Sequence, residues 1–232
     1  EDDIGLPEEK IKREGIDNFW GPTGMEGPCG PPTEIYVKNS EGKSIEIWNI
    51  VFNEFYRSLD MKLKKLETPG VDTGMGLERL AMVAQKVPTI FDTDLFRPLT
   101  ELLQDFEPRV RLILAVHLGS SIYLIADGVE PSNKDRGYIL RRLLRRSVFH
   151  IADRERIVSN PLDINIRKEL SERTYKIIRP IIEVQVSLGD KAADELGVKL
   201  FDKKEFIEDA VKHEIGKSFD LLKSFSELKG KK

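Results

Sequence analysis

The segment Gly70-Val71-Asp72-Thr73-Gly74-Met75-Gly76-Leu77-Glu78-Arg79-Leu80 sets one carboxylate, a pair of glycines and one guanidinium close together. Asp72 at a strand end offers a seat for an amine. Gly74 and Gly76 let backbone approach a ligand, and Arg79, early in a helix, is a planar cation suited to an aromatic ring or a polyphosphate. The pattern is neither a phosphate loop nor a dinucleotide fingerprint. On spacing alone, a plain strand-to-helix turn with a solvated Arg79 fits it equally well. A second group begins at Asn133, where Lys134, Arg136, Arg141, Arg142, Arg145 and Arg146 face only Asp135, a local balance of +5 on a chain whose net charge is -3. Such a patch on an acidic body suits phosphate contact at one place. The bland alternative is ion pairing within the protein. A third group is Trp20, Asn49 and Val51. Residue types alone read Trp20 and Val51 as ordinary core.

The elements that position these groups follow from periodicity. Residues 17–68 alternate turn clusters with short strands, 33–37 being one and 44–56 a longer one. In the longer strand Ile45, Ile47, Asn49, Val51, Asn53 and Phe55 share one face, which sets Asn49 beside Val51. A strand over 70–73 feeds a helix whose apolar stripe is Leu77, Leu80, Ala81 and Ala84. Beyond Pro98 the pattern is helical throughout. Residues 109–125 read as a helix inside a bundle, and Ser132 with Asp135 reads as a capping box opening a helix to about His150. Arg141 with Arg145 and Arg142 with Arg146, each pair four apart, flank it, while Leu140, Leu143, Leu144 and Val148 face inward. Pro180 is expected to kink or end a helix. Asp202 with Glu205 opens a last helix lined by Phe206, Ala210, Ile215, Leu222 and Leu228. The fold class is α+β, with a sheet-bearing domain over 1–100 and an all-helical one over 101–232.

Composition narrows the function class. With 40% hydrophobic and 33% charged residues the chain is a well-folded, heavily charged globular protein rather than a disordered one. No apolar run approaches the roughly 18 residues of a spanning helix, and the opening Glu1-Asp2-Asp3 is unlike a signal peptide, so no membrane partner is expected and the cytoplasm is the expected compartment. One cysteine, Cys29, and three histidines make no zinc site at a known ligand spacing. Any metal should arrive with a nucleotide.

Taken together, five segments resemble the alanyl-tRNA synthetase family of class II aminoacyl-tRNA synthetases in order and spacing. They are Asp17-Asn18-Phe19-Trp20, Gly27-Pro28-Cys29-Gly30-Pro31, Glu46-Ile47-Trp48-Asn49-Ile50-Val51-Phe52, the segment from Gly70 to Leu80, which is similar to class motif 3, and Ala126-Asp127-Gly128-Val129-Glu130-Pro131-Ser132-Asn133. The resemblance implies a partial class II antiparallel sheet with its motif 3 helix: the C-terminal half of a catalytic domain, followed by a helical tRNA-recognition domain. It implies that Asp72 binds the ammonium of alanine, that Trp20 and Val51 wall the side-chain pocket with Asn49 nearby, and that Arg79, Gly74 and Gly76 serve ATP, whose phosphates bring Mg²⁺. Asn133 would help read the wobble pair in the acceptor stem of alanine tRNA, with Arg136, Arg141, Arg142, Arg145 and Arg146 on phosphates and Asp220 as a possible second reader. The implied reaction is attack of the alanine carboxylate on the α-phosphate of ATP, then transfer of the alanyl group to the tRNA 3′ end. A pocket of this size should let glycine and serine leak through. The histidine and cysteine cluster of the family's editing domain is absent, so proofreading is expected elsewhere.

Class motifs 1 and 2 are expected ahead of residue 1, so the isolated chain should need that N-terminal portion, in cis or in trans, to activate alanine. Around His117 the family carries an aspartate before and an arginine after, where this chain has Val116 and Leu118-Gly119. Two rival readings are a catalytically inactive module that binds the acceptor stem and a paralogue that senses free alanine.

Overall fold

The computed structural model describes residues 5–22, 24–154, 164–193 and 200–229. The side chains of Asp17, Leu222 and Leu228 lie outside the described set. The chain divides into two compact units, Glu1–Thr93 and Asp94–Lys232, and its class is α+β.

The first unit is an antiparallel sheet of β1 (Gly27–Cys29), β2 (Pro32–Lys38), β3 (Ser44–Arg57) and β4 (Leu63–Met75), followed by helix α1 (Leu77–Ala84). β3 is central. One edge of it carries β2 beside residues 44–51 and β1 beside 55–57, and the other carries β4. Val51 is the buried residue of β3, and the predicted alternation holds from Asn49 through Val51 to Asn53 along β4, whereas a register shift opposite Ile35 and Tyr36 interrupts it between Glu46 and Trp48. β4 is far longer than the expected 70–73. Its first half, rich in lysine and carrying Pro69, lacks a period-2 signal, and the pairing slips there, passing from Asn53↔Gly70 to Phe55↔Lys65. A proline cannot donate to the ladder, so the irregularity falls where Pro69 sits.

The stripe expected on α1 is corrected. Leu77 is 63% exposed, Leu80 and Ala84 are exposed too, and the buried residue is Met82. Periodicity had identified a face, but α1 packs against β3 through another. Buried apolar side chains are sparse in this unit. Cys29, Val51 and Met82 are the buried ones among the described residues, while Phe52, Val71, Met75 and Leu77 are exposed.

The second unit contains α2 (Arg97–Leu102), α3 (Pro108–Ala126), α4 (Asp135–Arg154), α5 (Ile164–Ala193) and α6 (Lys204–Lys229). Its core runs from Leu99 and Leu103 through Leu118, Ile122, Leu140 and Ile151 to Ile181, Ile207 and Phe219. The division falls ahead of the expected 100/101 boundary because Leu99, on α2, is already part of that core. α3 also corrects a sequence expectation: at 19 residues it is long and apolar enough, by length and composition, to cross a membrane. Leu114, Leu118, Ile122 and Ile125 along it are buried in the helical core. α5 runs through Pro180 rather than ending there. Ile178, Ile181 and Ile182 around that proline are buried, and this packing outweighs the one backbone bond it forfeits. On α6 the inner face is Ile207, Val211, Ile215 and Phe219; Phe206 is 48% exposed.

Candidate functional site

In an antiparallel pair, residues directly opposite one another project to the same face. The pairing of β3 with β4 sets Val51 opposite Asp72, Asn49 opposite Gly74 and Asn53 opposite Gly70. Three candidates that lie far apart in sequence, Asn49, Val51 and Asp72, therefore meet on one face. Between Gly70 and Gly74 that face of β4 carries Gly70, Asp72 and Gly74, so in this stretch Asp72 is its one side chain, and a β-carbon at either glycine would meet nothing within 4 Å. The result is a carboxylate standing over an open floor, with buried Val51 beneath.

Asp72 is exposed, and its Oδ1 accepts from its neighbour's backbone, Thr73 N, at 2.9 Å. The carboxylate stands in solvent rather than in a dry pocket, since β4 pairs only with β3 among the described residues and its side chains are open to solvent. The amides nearby are less open. The Oδ1 atoms of Asn49 and Asn53 are buried and accept no hydrogen bond, while Asn49 Nδ2 donates to Glu34 Oε1 at 3.3 Å. The register sets these two amides on either side of Val51, opposite Asp72, and unpartnered amide oxygens and a carboxylate are groups that accept from an ammonium. Glu34, opposite Asn49 on β2, escaped the sequence reading because only the strand register brings it here.

Trp20 is placed through its backbone. Its backbone forms a two-way bridge with Gly30, donating at 3.0 Å and accepting at 3.2 Å. Gly30 lies so close to β3 that a β-carbon there would sit 1.7 Å from the Phe52 carbonyl oxygen. Arg79, on the first turn of α1, is neither free nor simply solvated. Its Nη1 donates to the Glu46 carbonyl at 3.0 Å and lies 3.3 Å from Glu46 Oε2, in an ion pair about half exposed. At Gly76 the space of a β-carbon abuts the aliphatic stem of Arg79, at 3.3 Å from Cδ, so this glycine lets the arginine fold back. Among the described residues no group of three His, Cys, Asp or Glu side chains is gathered to hold a metal ion. A magnesium ion carried on nucleotide phosphates does not require one.

The second candidate site is the loop before α4 and the outer side of that helix. Here the run of cations separates into two sets. Arg145 Nε donates to Glu214 Oε1 on α6 at 2.8 Å, and Arg141 Nε lies 3.6 Å from the same oxygen, Glu214 being fully buried. Arg141 also donates through Nη1 to Asn133 Oδ1 and through Nη2 to the Pro131 carbonyl at 3.3 Å. These two arginines, expected on phosphates, are engaged internally because a carboxylate far along the sequence meets them. Lys134, Arg136, Arg142 and Arg146 remain exposed, with Tyr138, Ile139 and Phe149 exposed among them. The Arg142 guanidinium lies 5.6 Å from the centre of the Tyr138 ring. His117 and His150 face Arg146; burial first, and then the nearby cations, hold both imidazoles below their usual range. At neutral pH they add no charge to the stripe.

The expected capping box takes another form. The Ser132 hydroxyl closes on Lys134, two residues on, and the helix begins at Asp135, whose φ is 49°. Ser132 N donates to the Gly137 carbonyl at 3.0 Å, which folds the loop onto the first turn of α4. Asn133 is exposed at its tip, and Asp220 is exposed on α6.

A family model described as tRNA synthetases class II (A) matches residues 1–159, well over half of the chain, so the chain belongs to the class II aminoacyl-tRNA synthetases. Within that class, the matched domain is the one found in the alanyl-tRNA synthetase family. Enzymes of the class join an amino acid to tRNA using ATP and Mg²⁺.

Proposed function

We propose that this chain is the amino-acid-binding and tRNA-binding part of an alanine-tRNA ligase. The observation that carries the reading is Asp72 alone between two glycines, on the same face as Val51 and two amides with unpartnered oxygens. In this reading the alanine ammonium sits between Asp72 and those oxygens, and its methyl group lies over Val51 within reach of Trp20. ATP occupies the open strand at Gly74 and Gly76, where Arg79 leaves Glu46 to meet the base or the phosphates. Magnesium on the phosphates would supply charge neutralisation for attack on the α-phosphate. Residues 1–93 then act as the catalytic half, completed by a segment carrying class motifs 1 and 2, and residues 94–232 hold the acceptor stem in a cytoplasmic enzyme.

Replacing Asp72 by Asn removes the charge and keeps the shape. Calorimetric alanine binding should weaken about tenfold or more, a figure set at the low end for ion-pair loss because the carboxylate is exposed. Alanine-dependent pyrophosphate exchange, with the motif 1 and 2 segment added, should fall in step. Unchanged binding would remove the amino-acid reading and leave an RNA-binding module. Alanine binding without RNA affinity would instead favour a sensor.

On the RNA side, the exposed cations are the phosphate contacts. Arg142→Ala and Arg146→Ala should each lower affinity for an acceptor-stem hairpin and reduce the salt slope by about 1. Arg145→Ala should leave that slope unchanged and lower the melting temperature, since its partner is the buried Glu214.

A further inference from the structure

Glu214 is an expensive residue to keep. Its side chain is fully buried on α6, it meets two arginines through one oxygen, and its Oε2 accepts no hydrogen bond. Well-packed apolar residues often serve stability as well as a buried ion pair of this kind. What the pair provides that apolar residues cannot is direction. Glu214 Oε1 lies 3.6 Å from Arg141 Nε, an ion-pair contact without a hydrogen bond, and the far side of that guanidinium donates to Asn133 Oδ1 and to the Pro131 carbonyl.

A guanidinium has donors only, so it dictates which end of the Asn133 amide faces it. The oxygen must point inward, and the NH₂ group is left on the exposed side of the loop tip. The loop itself has little freedom, because Ser132 N binds the Gly137 carbonyl and a β-carbon at Gly137 would lie 2.4 Å from the Glu130 carbonyl. We infer that Glu214 is a positioning residue: through Arg141 it fixes the Asn133 amide so that the loop presents a donor, and only a donor, to an acceptor in the minor groove of duplex RNA. The wide, shallow minor groove of an RNA duplex offers such acceptors as purine N3, pyrimidine O2 and the 2′-hydroxyl. This rests on the reading that the loop at Asn133 touches the acceptor stem.

The test uses the full chain and acceptor-stem hairpins that carry either a G·U or a G·C pair at successive positions, with affinity measured by filter binding over a range of salt. The parent chain should prefer one pair at one position, and Asn133→Ala should erase that preference. Glu214→Gln and Arg141→Lys should each reduce it about five- to tenfold, the range of a lost neutral hydrogen bond, with the salt slope unchanged. Neither should reduce it further in a chain already bearing Asn133→Ala. Arg141→Lys keeps a cation beside Glu214, so it remains informative if Glu214→Gln unfolds the α4–α6 contact, which a thermal melt would reveal. If Asn133→Ala erases the preference while folded Glu214→Gln and Arg141→Lys retain it, the relay is wrong. If Asn133→Ala changes nothing, the RNA reading of the loop falls and the inference falls with it.

Discussion

Replacing Gly30 by Ala should collapse the sheet of the first unit while sparing the helical one. The new methyl group would sit 1.7 Å from the Phe52 carbonyl oxygen, 2.8 Å from its carbonyl carbon and 3.1 Å from Glu54 N, all of them backbone atoms of the central strand. No rotamer change relieves such a clash. The strands must separate, which breaks the Trp20–Gly30 bridge and the seating of Phe52 N on the Pro31 carbonyl. A cost above about 3 kcal/mol is expected, beyond the usual range for overpacking. Both tryptophans, Trp20 and Trp48, lie in this unit, so their fluorescence should report its loss while the far-ultraviolet helix signal stays largely intact. A parent-like tryptophan melting curve would show that the strand spacing is softer than these distances imply.

Gly137→Ala should have its largest effect on RNA binding. Its methyl group would lie 2.3 Å from Ser132 Oγ and 2.4 Å from the Glu130 carbonyl. The hydroxyl can rotate away, but the carbonyl belongs to the loop backbone, so the loop must lift from α4. Asn133 moves with it and loses its partner on Arg141. Destabilisation of about 1 to 3 kcal/mol is expected, a modest amount against the large core of this unit. Loss of base-pair discrimination by acceptor-stem hairpins should be complete while the exposed arginines still give salt-dependent binding. Retained discrimination would show that the loop does not read the stem.

Local pattern revealed much of this molecule. The alternation in β3 placed Asn49 and Val51 together, the apolar run of α3 announced a core helix, and the basic run marked α4. What escaped was set by distant partners. The pairing of Asp72 with Val51 and of Glu34 with Asn49 depends on register between strands, which no single strand encodes. Arg141 and Arg145 looked identical to Arg142 and Arg146 because each pair has the same spacing; only Glu214, 69 residues beyond Arg145, distinguishes them. The helix face of α1 failed for a related reason. Spacing groups Leu77 with Leu80 and Ala84, yet cannot say which side of a short helix finds a neighbour. At Pro180 the expected helix end does not occur, because isoleucines packed around the proline carry α5 through it.

The thin interior of the first unit has a consequence for its motion. Few buried apolar side chains mean that brief openings of the sheet cost little, whereas openings of the helical unit must expose a continuous core. Solvent deuterium should therefore enter the amides of β4 long before those of α3 and α4. A ligand that bridges Asp72, Asn49 and Gly74 would slow that entry at β3 and β4 selectively, which makes exchange mass spectrometry a direct readout of occupancy even where no turnover can be measured.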